Sequence, residues 1–351
     1  MKKILLSLVA ALCCATMFAT EGALSGKFTI NAAGDQIVFS QGNLQYQPST
    51  STWRLAEHQW SFVGWDFHST SLEDNLGGNV YIGDTKCNNN DISDTYEGWI
   101  DMFGFGTGDA PTKVSYDAND YMTYTEWGSN AISNGGNQAD CWRTLHTLEW
   151  NYLFYGRENA NKLFAFGKVN GEDGLIILPD DWTLPEGQNF NPSTENGLYD
   201  ENSLGRRYYT NDSRNNYTHN TYNLEQWNVM EAAGAVFLPA ARQRFKEHVD
   251  DRPDAFGSFG SYWSSSNAAG DDNPPIEYGM YVSFSQIDLW PLTMIQVYYG
   301  CSVRLVQAPT QSTEAINNTA AGSQTSKRIV NGQLLIEKSG KTYNAVGAEI
   351  R

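Results

Sequence analysis

Residues 260–266, Gly-Ser-Tyr-Trp-Ser-Ser-Ser, set three hydroxyls, Ser264, Ser265 and Ser266, directly behind Tyr262 and Trp263. A serine nucleophile needs a strained Gly-x-Ser-x-Gly elbow or a base in reach, and the chain contains no such elbow. The serines therefore read as strand chemistry, with Trp263 entering a core and the small hydroxyls letting the strand turn beneath a loop. A metal centre would draw on His58, His68, His146, His219 and His248, which are scattered, with no i, i+4 pair and no carboxylate motif beside them. Residues 84–94 offer oxygen ligands at Asp84, Asn88, Asn90, Asp91 and Asp94, but without the Asp-x-Asp-x-Asp-Gly spacing of a calcium loop. Ser339 to Thr342 mimics the end of a phosphate-binding loop, yet Leu335 stands where the first glycine belongs. Spacing singles out no pair among the 40 carboxylates for glycoside hydrolysis. No cofactor is expected.

Composition sets the surroundings of that chemistry. Lys2 and Lys3 precede an apolar run over 4–15 and then small residues, the layout of a secretory signal peptide over 1–19. The run falls short of the ~20 apolar residues a bilayer needs, so export without a transmembrane segment is the expectation. The formal net charge is -17, and no basic run could track a phosphate backbone, which excludes nucleic acid as a partner. Such acidity suits a protein that is secreted or held at the outer cell surface. Beyond the leader the cysteines are Cys87, Cys141 and Cys301, an odd number with no C-x-x-C pair, which rules out a zinc ribbon and a thioredoxin-type site. Cys141 with Cys301 is the candidate disulfide; three buried, unpaired thiols is the alternative.

The elements that must position these residues are short. Strands are expected at 174–179 (GLIILP), 234–239 (GAVFLP), 278–285 (YGMYVSFS) and 301–306 (CSVRLV), and two or three more over 27–47. The first two share a weak echo, an apolar run ended by Leu-Pro, where proline cannot donate to a ladder. A helix is predicted over 145–157, because Trp150, Leu153 and Phe154 repeat at i, i+3, i+4. A second is predicted from Leu224, with Asn223 as cap and Gln226 three residues on. Long Asn- and Gly-rich connections fill 84–98, 128–140 and 187–222. Composition changes near Ala308: residues 308–327 lack aromatics and read as a linker, and 328–351 as a short hairpin-like β tail. The fold class is α+β with short strands, few helices and long irregular loops.

Taken in order, CWRTLHTLEWNYLF (141–154), LIILPDDW (175–182), GAVFLPAARQR (234–244), GSYWSSS and GCSVRLV (300–306) resemble the major paralogous domain of secreted Bacteroides-type bacterial proteins. That group is similar to the C-type-lectin-like (sulfatase-modifying-factor-like) fold shared with the formylglycine-generating enzyme. The likeness implies a lectin-like domain over 24–307, with Trp142-Arg143-Thr144-Leu145 opening a helix and Ser302 to Val306 closing the domain. His146 departs from it, since a hydroxyl residue is expected to cap that helix against Glu149. The tail resembles the last segment of a type IX secretion sorting signal.

The oxidase chemistry of that fold needs a reactive cysteine pair near the end of the domain, where Cys301 stands alone, and a shared fold does not carry the activity with it. What the resemblance implies instead is a non-catalytic extracellular binding module, meeting a glycan or a protein through loops before the last strand. Aromatics make up 13% of the chain, a composition suited to stacking on sugar rings. The candidate ligand residues are Asp271, Asp272, Asn273, Glu277, Trp290, Tyr298 and Tyr299. The alternatives are an oxidase or glycosidase on the same scaffold, and a structural component of a surface adhesin assembly with a fixed envelope partner.

Overall fold

The computed structural model describes residues 21–63, 89, 92–193, 216–245, 258–268 and 277–309 in full. For 198–200, 207–209, 248–249 and the tail strands it describes the backbone. The expected signal peptide, the 310–324 part of the linker, Cys87, and His68 lie outside these residues. So do Asp84, Asn88, Asn90 and Asp91. The architecture is α+β, mostly sheet, with two α-helices among the described residues, α1 (Thr147–Tyr155) and α2 (Leu224–Ala232). No helix among them is long and apolar enough to cross a membrane.

Residues Ala19–Pro309 form one compact unit, and the strands after Thr310 belong to another. The later unit holds a four-stranded antiparallel meander, Thr325–Val330, Gln333–Lys338, Lys341–Asn344 and Glu349–Ile350. It is larger than the expected hairpin, and its first strand begins inside the stretch read as linker. Thr-Ser-Lys-Arg-Ile-Val is β-branched enough at its ends to pair once a partner strand lies beside it.

In the larger unit, the two Leu-Pro segments are spatial neighbours. Glu172–Ile177 and Val236–Pro239 pair antiparallel, Ile177 opposite Val236 and Gly174 opposite Pro239. Phe164–Val169 flanks them on the other side and Thr221–Tyr222 adds a parallel edge. Their period-2 alternation divides the apolar residues between two faces. Leu175, Ile177, Val236 and Leu238 meet Trp150, Leu153 and Phe154 of α1, while Ile176 and Phe237 meet Trp227 and Met230 of α2. A sheet covered on both faces reads in sequence as an unbroken apolar run, which is why LIIL and AVFL look alike.

Both helices start with reciprocal capping. Asn223 and Gln226 form the expected box on α2. On α1 the cap is His146, whose Nδ1 accepts from Leu148 N at 3.2 Å, while Glu149 Oε2 accepts from His146 N at 2.7 Å. An imidazole nitrogen therefore does the work expected of a hydroxyl. Glu149 is held from the other side by Arg143, at 2.7 and 2.8 Å. Behind α2 the chain turns at Gly234, whose φ of +97° and close approach to the Gly26 Cα leave no room for a side chain.

The ends of the unit close on each other. Gln36–Phe39 pairs with Leu305–Gln307, which also pairs with Arg143–Thr144. Within the closing segment Arg304 is fully buried. It donates to Ser40 O (3.1 Å), Asn43 Oδ1 (3.1 Å), Gln59 O (3.3 Å) and Phe237 O (2.9 Å). Burial draws its pKa down to about 10, so it remains a cation at neutral pH. One guanidinium thus ties its own segment to three others, at Ser40–Asn43, Gln59 and Phe237.

Candidate functional site

The opening serines belong to the strand Phe259–Asn267, which pairs with Tyr278–Ser285, itself paired with Asp288–Gln296. Ser264 Oγ donates to Met280 O at 2.9 Å and accepts from Ser266 N at 3.2 Å; Ser266 Oγ accepts from Thr147 N at 2.9 Å. These two hydroxyls fasten the strand to its neighbour and to the start of α1. Trp263 is buried and donates its indole N–H to Phe103 O at 2.6 Å.

The expected Cys141–Cys301 disulfide is not formed, and both residues are free thiols. Cys301 is enclosed in the core, bridged through its backbone to Phe103 and close enough to feel the Arg244 charge, whereas Cys141 lies on a half-buried bend before Trp142. Burial pushes the Cys301 pKa up despite Arg244. It is therefore a protonated, poorly nucleophilic thiol.

Of the histidines, His146 caps α1 and exposed His58 stacks on Trp60 at 4.6 Å, 1° between planes. Among the described residues no group of three or more His, Cys, Asp or Glu is arranged to hold a metal ion. In the Asn-rich run, Asp94 accepts from Thr112 Oγ1 at 2.6 Å. Asn89, not singled out by the sequence, is completely buried. It accepts from Asp101 N and Met102 N and donates to Asp101 Oδ1 and Val63 O. Its neighbour Asp101 also accepts from Val63 N at 2.7 Å, yet burial raises its carboxyl to about 7.

The ligand candidates separate into two groups. Asp271, Asp272 and Asn273 lie outside the described residues. Glu277, Trp290, Tyr298 and Tyr299 all border the hairpin made by Tyr278–Ser285 and Asp288–Gln296. One face of this hairpin carries Val282, Phe284 and Leu289 into the α1 core. The other carries Tyr281, Ser283 and, directly opposite Ser283, Trp290. An extra residue in the second strand keeps that alignment: Tyr281 faces Thr293, Ser283 faces Trp290.

The chain leaving the second strand then folds across this face. Tyr299 N bonds back to Gln296 O at 3.0 Å, and Tyr298 and Tyr299 stack at 5.6 Å, 22° apart. Phe245 joins them, 4.8 Å from Tyr299, because Arg244 and Gly300 exchange backbone hydrogen bonds at 2.7 and 2.8 Å. Gly300 allows that approach: a Cβ there would meet the Arg244 guanidinium at 2.9 Å. Tyr281 lies within electrostatic reach of Tyr299 and is hydrogen-bonded to the side chains of Ser283 and Thr293; burial holds its phenol neutral, pushed up to about 12.

The result is a row of partly exposed rings, Trp290 at one end and Tyr299, Tyr298 and Phe245 at the other, with Tyr281 between them 6.1 Å from buried Trp263; the three tyrosines rest on a second core cluster that holds Trp263, Phe105 and Cys301. Phe245 is 38% exposed. Trp290 is oriented by its own N–H on Asp288 Oδ2 at 3.0 Å, and Asp288 Oδ1 accepts from Ser285 Oγ at 2.6 Å. Glu277 is exposed, and its carbonyl takes the N–H of Val297, beside Tyr298. Sequence reasoning missed Phe245 and Tyr281. Phe245 sits in a two-residue strand far from the hairpin in sequence, and Tyr281 looks like any aromatic of an alternating strand.

Comparison with known proteins returns no match: no family model, no curated protein and no solved structure.

Proposed function

We propose that the chain is an exported, non-catalytic binding module with a C-type-lectin-like fold of the major-paralogous-domain kind, which holds a glycan or an extracellular protein on the aromatic face of its hairpin. The fold reading draws support from the pairing of an early strand, Gln36–Phe39, with the last strand of the unit, from α1 opening after Trp142-Arg143, and from the buried Arg304 of the closing segment. The binding reading rests on one observation, the partly exposed ring row that ends in Tyr298, Tyr299 and Phe245. Rings stacked on one another are already ordered, so a ligand meets them at small entropic cost. Catalysis has no comparable support, because Cys301 is held as a buried thiol and Ser264 and Ser266 are bonded within the fold.

Glycan arrays and pull-downs from envelope fractions test the reading. Wild-type protein should retain a partner, and Trp290→Ala and Tyr298→Ala should lose it while circular dichroism and unfolding midpoint stay close to wild type. A partner that binds both variants as tightly as wild type, or silence in both assays, would overturn it.

A further inference from the structure

Accepting the hairpin face as a binding surface, we infer that its ligand is an uncharged, extended oligosaccharide. Three features of the face carry this.

The first is charge. Asp288 stands beside Trp290 at one end of the row and exposed Glu277 borders the Tyr298 end, in a chain of net charge -17. Uronic or sulfated glycans would bring like charge to both ends, a repulsion that acts directly on specificity. The second is chemistry. The partly exposed rings at the two ends offer their faces to the C–H groups of a pyranose, and Tyr281, hydrogen-bonded to Ser283 and Thr293, lies between them. Asp288, the carboxylate beside Trp290, has both oxygens engaged by Ser285 and Trp290 and so fixes the ring rather than offering a free acid. The third is length. Trp290 stands opposite Ser283, and Gln296, the residue from which the tyrosine turn starts, stands opposite Tyr278, so the two ends lie five strand steps apart, roughly 17 Å at strand spacing. That exceeds any single hexose, with Tyr281 midway. Stacking at both ends therefore asks for a chain of linked sugars.

The experiment uses the full-length protein with β-1,4-glucan oligomers from the disaccharide to the hexasaccharide, and with alginate and heparin. Expected are tightening with each added sugar, no retention of the two polyanions, and about tenfold weaker binding of the hexasaccharide in both Trp290→Ala and Phe245→Ala. Preference for alginate or heparin, equal affinity for disaccharide and hexasaccharide, or an effect of only one of the two substitutions would overturn the inference. So would β-1,4-glucan silence accompanied by a protein partner that Tyr298→Ala releases; that result would leave the binding function standing. If nothing binds in any assay, the function and the inference both fall.

Discussion

Two regions of the molecule use the same aromatic residues to opposite ends. Around α1, Trp150 is completely buried and stacked on Phe154 at 6.3 Å, with Phe39 and Phe164 closing the cluster. On the hairpin face, Tyr298, Tyr299 and Phe245 also stack, yet keep part of each ring in contact with solvent. Stacking is common to both. What differs is how far the rings are covered: those around α1 are sealed on every side, whereas Tyr298 and Tyr299 rest on buried core with one side only and Phe245 stays 38% exposed. An aromatic pair in a sequence therefore says that rings will meet, and only the third element decides whether they form core or surface.

This contrast can be broken most severely in the core. Trp150→Ala should cost about 3–5 kcal/mol by leaving a large cavity, read as a lower denaturant midpoint. The same truncation at Phe245 should change stability by less than about 1 kcal/mol while weakening ligand binding about tenfold; equal losses of stability at both positions would erase the distinction. Next in size is Arg304→Met, which leaves the carbonyls of Ser40, Gln59 and Phe237 without their donor and should cost about 3 kcal/mol or more. A variant that unfolds like wild type would show that the guanidinium is not the tie described above.

A pH series sharpens the comparison further. The folded pKa of Asp101, raised to about 7, lies above the ~3.9 of an unfolded aspartate. Between those values the folded chain keeps a proton that the unfolded chain has lost. The carboxyl's contribution to stability is therefore fully present below about pH 4 and is lost as pH rises through 7. Urea unfolding at pH 5 and pH 8 should show this loss, and Asp101→Asn should shrink the difference; an unchanged difference would assign it to other groups. Smallest is the cap: His146→Ala should cost about 1 kcal/mol and His146→Ser should restore most of it, since either side chain can accept from the free N–H groups of α1.

Much of the fold was legible because its signals are local. The i, i+3, i+4 spacing of Trp150, Leu153 and Phe154 gave α1, and Asn223 with Gln226 gave the start of α2. The expected strand at 278–285 matches Tyr278–Ser285. Tertiary partners were not legible. That the two Leu-Pro runs pair with each other depends on register, and a one-residue slip would look the same in sequence. The disulfide expectation failed for the same reason, because cysteine count says nothing about which way a buried thiol points. In the site, Trp290, Tyr298 and Tyr299 could be chosen by chain position, whereas Phe245 reaches them only through the backbone pairing of Arg244 with Gly300.

The pairing of Gln36–Phe39 with Leu305–Gln307 has an architectural consequence. A unit whose chain enters and departs through adjoining strands behaves as a bead with its two holes side by side. It can be threaded into a loop of an unrelated host, or given new termini elsewhere, without stretching either neighbour.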